Sequence, residues 1–171
     1  MNYVKKYVYD VKDFPVDGIV FKDITPLMQN GAAFKAACKK MVEFAKKVGA
    51  TVVVGPESRG FIFGCPVAYE LEIGFVPIRK PGKLPRKVVS EAYDLEYGSN
   101  TLCMHEDGVN PGDKVIIIDD LLATGGTVKA TKHLVEKLGA EVVGACFLIE
   151  LEELNGRSNL EGTEIFTIMK F

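Results

Sequence analysis

Two adjacent carboxylates, Asp119 and Asp120, are followed closely by the small-residue string Ala123-Thr124-Gly125-Gly126-Thr127. Side chains this small leave main-chain N–H groups uncovered. A helical pattern from Val128 to Leu138 makes the turn a positive helix end, so it can cradle a phosphate. Anions beside a phosphate repel it, by roughly 4 kcal/mol per pair at about 4 Å and an effective dielectric near 20. The acids make sense there if something lies between, such as a sugar's hydroxyls or a divalent cation. A ribose 5-phosphate meets both demands: its phosphate on Ala123 to Thr127, its 2′- and 3′-hydroxyls on Asp119 and Asp120. The commoner nucleotide loops do not fit. No Lys follows the glycines as a P-loop requires, and no G-x-G-x-x-G precedes an acid by about 20 residues. An ordinary strand–loop–helix corner with surface acids is the competing reading.

A second set of candidates is cationic. Arg59 lies in Gly55-Pro56-Glu57-Ser58-Arg59-Gly60, where its guanidinium fork can meet a phosphate oxygen or pair with Glu57. The run Arg79-Lys80-Pro81-Gly82-Lys83-Leu84-Pro85-Arg86-Lys87 puts five cations in nine residues, with prolines and a glycine opposing a helix. It reads as a solvated loop, as a nucleic-acid contact, or as a lid over pyrophosphate, whose several charges need several donors. The lack of aromatics within it weakens the nucleic-acid reading. His105 and His133 stand alone and read as surface or helix polar residues, and no His/Cys set suits a transition metal.

These side chains need elements to hold them. Val115-Ile116-Ile117-Ile118 is an unbroken β-branched run, the mark of a strand buried on both faces, and it ends at the acids. Thr51 to Val54 is another, feeding the Arg59 corner and a helix through Leu71. Gly74 to Ile78, Glu141 to Glu150 and Ile165 to Met169 read as further strands, with Gly144 marking a close backbone approach. Asn30 caps a helix from Gly31 to Val48, with Ala33, Ala37, Met41 and Phe44 on one face and Gly49 as its left-handed stop. Thr127 to Leu138, stopped by Gly139, is the helix behind the cradle. Tyr3, Tyr7 and Val11 predict a helix from Tyr3 to Phe14, ended by Pro15. Asp17-Gly18 and Thr25-Pro26 read as turns around an apolar lip, Ile19-Val20-Phe21. Tyr93 to His105 reads as a hairpin turned by Gly98-Ser99-Asn100, and Glu152-Glu153 with Asn155-Gly156-Arg157 as a polar turn. Strands and helices in series predict an α/β fold: a mostly parallel twisted sheet flanked by helices, ligands at the carboxyl ends of its strands.

A chain of 171 residues reads as one domain by length and can bury about 70% of its unfolded surface. Its 47% apolar and 26% charged content is that of a globular protein, and a net charge of −2 gives no global pull towards nucleic acid or an anionic membrane. No apolar run approaches the ~18 residues of a membrane helix, and MNYVKKYVYD lacks a signal-peptide pattern. Cys38, Cys65, Cys103 and Cys146 are widely spaced with no C-x-x-C, which predicts buried, reduced thiols in a cytoplasmic protein.

Four apolar residues, Asp-Asp and Thr-Gly-Gly-Thr resemble the signature with which type I phosphoribosyltransferases bind 5-phosphoribosyl 1-pyrophosphate (PRPP). The form DDLLATGGT is similar to the adenine-specific branch of that family, and the resemblance runs through nearly the whole chain. It implies a single domain over residues 1–171, with a hood of N- and C-terminal segments (lip about 15–27) and a mobile loop at about 79–100. Val20, Phe21 and the Lys22 backbone would meet the base, with Leu151 completing the sandwich. Arg59, Arg79, Lys80 and Lys83 match pyrophosphate-contacting positions, and a non-proline cis peptide would fall at Glu57–Ser58. Glu96 and Tyr97, in LEYG, match catalytic-loop residues: Glu96 for proton traffic or for orienting the base, Tyr97 for loop closure. The implied reaction is transfer of 5-phosphoribosyl from PRPP to adenine N9, giving AMP and pyrophosphate in purine salvage. The resemblance further implies a homodimer, with Mg²⁺ held mainly through PRPP and water. The same chemistry on xanthine, hypoxanthine or guanine competes, although no Lys-bearing segment to reach O6 is evident between Gly144 and Leu154. A PRPP-sensing regulator competes too, opposed by the lack of a winged-helix segment or a basic nucleic-acid face.

Overall fold

The computed structural model describes residues 2–94 and 99–171. A one-turn helix α1 (Asn2–Lys5) leads into an antiparallel pair, β1 (Tyr9–Lys12) and β2 (Val20–Asp23), then into helices α2 (Thr25–Gln29) and α3 (Gly31–Lys47). β3 (Val52–Pro56), α4 (Arg59–Leu71) and β4 (Gly74–Ile78) make the first strand–helix–strand unit. A hairpin of β5 (Val88–Asp94) and β6 (Ser99–His105) follows. The second half is β7 (Lys114–Leu122), α5 (Gly126–Lys137), β8 (Glu141–Glu150) and β9 (Glu164–Lys170).

The main sheet has the order β4-β3-β7-β8-β9, and every neighbouring pair in it is parallel. Its three central strands, β3, β7 and β8, are buried on both faces, and alternate residues feed different cores. Ile116 and Ile118 pack with Val53 under α3 and α4; Val115 and Ile117 pack with Val54 under α5. Ile116, Ile117 and Ile118 are all fully buried, each stabilising the fold by roughly 1.5–3 kcal/mol. The first long helix starts where its cap predicts: the Asn30 side chain accepts from the Ala33 amide at 3.0 Å, and Gly49 takes φ +69° beyond its end.

The chain runs from β3 outward to β4 and then returns to place β7 on the other side of β3. That reversal opens a crevice at the carboxyl ends of β3 and β7, the usual ligand position in such sheets. Both loops singled out by their chemistry emerge there, because β3 and β7 run parallel in register, Val52 beside Val115 and Val54 beside Ile117.

Several local expectations need correction. The helix expected from Tyr3 to Phe14 is one turn long; Tyr9–Lys12 is a strand, drawn off the helical period by pairing with Val20–Asp23. Thr25-Pro26 opens α2 instead of a turn, since proline is at ease in a first helical turn. Ser99 and Asn100 lie in β6, paired with Asp94 and Tyr93, and not in a turn; Gly98 lies outside the described residues. At Gly144 the nearest approach is by side chains and not backbone: a Cβ would sit 3.2–3.3 Å from the Phe44 ring and the Val48 side chain. The four cysteines are free as expected, but Cys65 is exposed while Cys38, Cys103 and Cys146 are buried. Among the described residues no helix is long and apolar enough to cross a membrane.

Candidate active site

A cavity of about 240 Å³ fills the crevice between β3 and β7. One wall is Glu57, Ser58 and Arg59; the floor is Asp119 and Asp120; the other wall runs from Leu121 to Val128. Asp120 continues the Ile116–Ile118 row towards α4, where the Arg59 guanidinium meets it at 3.0 Å. Arg59 therefore pairs with Asp120, not with Glu57. Asp119 turns its carboxylate back to accept the Asp120 amide at 2.8 Å. The close approach of α4 depends on Gly60, where a Cβ would lie 2.9 Å from the Ile118 carbonyl and 3.1 Å from Asp119 Oδ1.

The electrostatics of the floor are those of two acids crowded into one corner, Asp120 buried and Asp119 half-buried. Burial, then the neighbouring charge of Asp120, pushes the Asp119 carboxyl well above its ordinary range. Asp120 is also raised by burial, with Arg59 opposing. A site that disfavours two negative charges when empty is suited to a ligand that brings hydroxyl donors or positive charge. Hard carboxylate oxygens fit a Mg²⁺-type ion, but among the described residues no three His, Cys, Asp or Glu side chains cluster to hold one. Such an ion would need most of its ligands from substrate and water.

The opposite wall is a cradle of main chain. Gly125 takes φ +85° and caps α5, whose first turn begins at Gly126. The amides of Thr124, Gly125, Gly126 and Thr127 have no acceptor among the described residues, leaving four donors at a positive helix end. With Ala123, the five residues expected to bind phosphate all line the cavity.

The other expected residues fall into three groups. Arg59 lines the cavity, and its guanidinium lies over the Phe21 ring at 5.4 Å, which brings the lip to the site's edge. Val20 is exposed beside Phe21; Lys22 sends its ammonium to Asp10 at 2.7 Å and over the Phe171 ring at 4.4 Å. The Leu151 amide donates to the Leu122 carbonyl at 3.0 Å, so Leu151 sits at the head of the cradle strand. N- and C-terminal segments thus meet over one end of the sheet. Arg79 and Lys80 reach the cavity through Glu57, whose carboxylate takes the Lys80 amide at 2.7 Å and the Arg79 guanidinium at 3.3 Å. Those contacts, the amide first, hold the Glu57 carboxyl below its ordinary range. Lys83 is exposed, and its carbonyl accepts from Arg79 at 3.4 Å. Glu96 and Tyr97 lie outside the described residues. The Glu57–Ser58 peptide is cis, as the resemblance implied.

Spacing gave no warning of three further residues. The Tyr93 hydroxyl lies 3.2 Å from Thr127 Oγ1, tying the hairpin to the cradle. Glu91, two residues earlier on the same strand, bonds His133 at 2.9 Å and also Lys137, both on α5. Asn159 Nδ2 donates to the Thr124 carbonyl at 2.8 Å. Each is a contact between segments far apart in sequence, which no local pattern encodes.

Comparison with known proteins agrees with this geometry. The profile of the phosphoribosyl transferase domain matches residues 26–168. An adenine phosphoribosyltransferase of Lactobacillus gasseri is 58% identical over 167 residues, covering 98% of this chain and 95% of its own. The crystal structure of an adenine phosphoribosyltransferase from Thermoanaerobacter pseudethanolicus superposes with a TM-score of 0.96 at 45% identity, covering 99% of each chain. The Saccharomyces cerevisiae adenine phosphoribosyltransferase, crystallised with an imino-altritol bisphosphate and adenine, superposes at 0.91 with 38% identity, covering 98% of this chain and 97% of its own.

Proposed function

This chain belongs to the phosphoribosyl transferase family, among the adenine phosphoribosyltransferases, and on that premise we propose how its residues share the work. The reaction moves 5-phosphoribosyl from PRPP to adenine N9 and releases AMP and pyrophosphate, a step of purine salvage. One observation carries the assignment: carboxylates and unpaired main-chain amides face each other across a single crevice, as a ribose 5-phosphate requires at its two ends.

Thr124 to Thr127 and Ala123 hold the 5-phosphate. Asp119 and Asp120 take the ribose diol and stabilise the positive charge that grows on the ring as the anomeric carbon parts from pyrophosphate. A Mg²⁺ ion entering with PRPP and water would supply positive charge to offset that of the leaving group, with Asp119 and Asp120 the carboxylates nearest to it. Beside such a cation Asp119 would give up its proton more readily. Arg59 lies on the leaving-group side, and Arg79, Lys80 and Lys83 join it when the loop at about 79–100 closes and excludes water. Val20, Phe21 and the Lys22 backbone receive adenine under the hood, with Leu151 opposite. Glu96 orients the base or takes its proton, and Tyr97 completes closure. The four free thiols support a reducing, cytoplasmic setting, and the active form is a homodimer.

Purified protein with PRPP and Mg²⁺ is expected to release pyrophosphate with adenine, far more slowly with hypoxanthine, guanine or xanthine, and not at all once the metal is chelated. Comparable rates with a 6-oxopurine would overturn the adenine assignment. Arg59→Ala should weaken product inhibition by pyrophosphate about tenfold or more, the scale of one charge-assisted contact. An unchanged inhibition constant removes Arg59 from that role.

A further inference from the structure

The segment Gly156 to Asn159, whose first two residues close the polar turn expected from Glu152 to Arg157, lies against the back of the phosphate cradle. Gly156 is so close that a Cβ on it would lie 2.2 Å from the Ala123 carbonyl oxygen. Gly125 is as tightly seated, since its own Cβ would fall 2.5 Å from the Gly156 carbonyl. Asn159 Nδ2 donates to the Thr124 carbonyl at 2.8 Å. Two successive carbonyls of the cradle, at Ala123 and Thr124, therefore face this segment.

In a planar trans peptide the C=O and the following N–H point in opposite directions. The Thr124 amide shares a plane with the Ala123 carbonyl, and the Gly125 amide with the Thr124 carbonyl. Asn159 draws the Thr124 carbonyl outward and Gly156 leaves room for the Ala123 carbonyl, so both amides turn inward, to the cavity. We propose that Gly156 and Asn159 are positioning residues for the 5-phosphate: they touch no substrate, but they aim the Thr124 and Gly125 amides at it.

The segment is itself held rigidly. Arg157 grips Glu150 through two bonds at 2.5 and 2.7 Å, and Thr167 Oγ1 donates to the same carboxylate at 2.9 Å. Glu150 ends β8, in register with Leu122 at the end of β7. The orienting segment and the cradle thus rise from neighbouring strands. Without Asn159 the Thr124–Gly125 peptide can rotate, and the donors must be reordered whenever phosphate binds.

This inference rests on the ribose 5-phosphate reading of the crevice. Its test is calorimetric titration of ribose 5-phosphate and, separately, pyrophosphate into wild type, Asn159→Ala, Asn159→Asp, Gly156→Ala and the control Ser158→Ala. Asn159→Asp is isosteric but cannot donate from a charged carboxylate. Asn159→Ala is expected to weaken ribose 5-phosphate about tenfold, the size of one hydrogen bond, and Asn159→Asp and Gly156→Ala more. Pyrophosphate affinity should stay within about twofold, as should kcat at saturating PRPP, while KM for PRPP rises. Ser158→Ala should match wild type. The inference fails if Asn159→Asp binds ribose 5-phosphate like wild type, or if pyrophosphate affinity falls in parallel, which would mean general structural damage. A wild type that binds no ribose 5-phosphate would instead overturn the function itself.

Discussion

Replacing Asp119 and Asp120 together by Asn should cut turnover at least about a hundredfold, the scale of losing a group aimed at developing charge. The melting temperature should hold or rise. The two acids sit in a corner where burial penalises their charge, and Asp120 further penalises Asp119. Neutral amides of the same shape relieve that repulsion, although Arg59 loses an ionic partner at 3.0 Å. The linkage has a definite sign. Asp119 holds its proton in the folded protein above the ordinary value of 3.8, at which the unfolded chain releases it. Between those two values the folded state binds more protons, so this contribution to stability falls as pH rises through the window. Glu57, Glu91 and Glu150 are shifted downward and contribute the opposite slope. Melting temperatures of wild type and Asp119→Asn, compared from about pH 4 upward, isolate the Asp119 part. The two curves should part as pH rises, with the variant the more stable. Parallel curves, or wild-type kinetics in the double variant, would remove the carboxylates from the account.

Gly125→Val should all but abolish PRPP binding. The position has φ +85°, a conformation that costs a β-branched residue of order 1–3 kcal/mol. It also leaves only 2.5 Å between a new Cβ and the Gly156 carbonyl, which the Arg157–Glu150 grip prevents from yielding. The turn must move, and its amides move with it. Adenine, which does not depend on those amides, should bind as before. Calorimetry finding unaltered PRPP affinity would sink the cradle.

Much of this was legible from the letters, and the limits are physical. The isoleucine run before Asp119 favours a strand buried on both faces, because β-branched side chains lose freedom in a helix and the run is short with no polar side. The acids and glycines after it mark the candidate site, since ligands in parallel sheets sit at the carboxyl ends of the strands. The N-terminal segment misled: Tyr3, Tyr7 and Val11 keep helical spacing, yet the pairing of Tyr9 with Asp23 and Val11 with Phe21 overrides it. Tertiary pairing is invisible to a local pattern. So are Tyr93 on Thr127 and Asn159 on Thr124, where the partners stand 34 and 35 positions apart. The Asn155-Gly156 pair did announce a turn; what that turn leans on could be known only from the fold.

The carboxylate of Glu57 has one more effect. It engages both the Arg79 guanidinium and the Lys80 amide. On the pyrophosphate role proposed for Arg79, an incoming diphosphate would have to displace this carboxylate, so its hold on Arg79 would reflect the difference between two anion contacts and not the whole of one. An enzyme that must shed a multiply charged product every cycle gains from such built-in competition: the exit is eased by a replacement waiting within reach. Glu57→Gln should therefore make pyrophosphate linger, slowing its dissociation in a stopped-flow displacement, and faster release would count against the exchange.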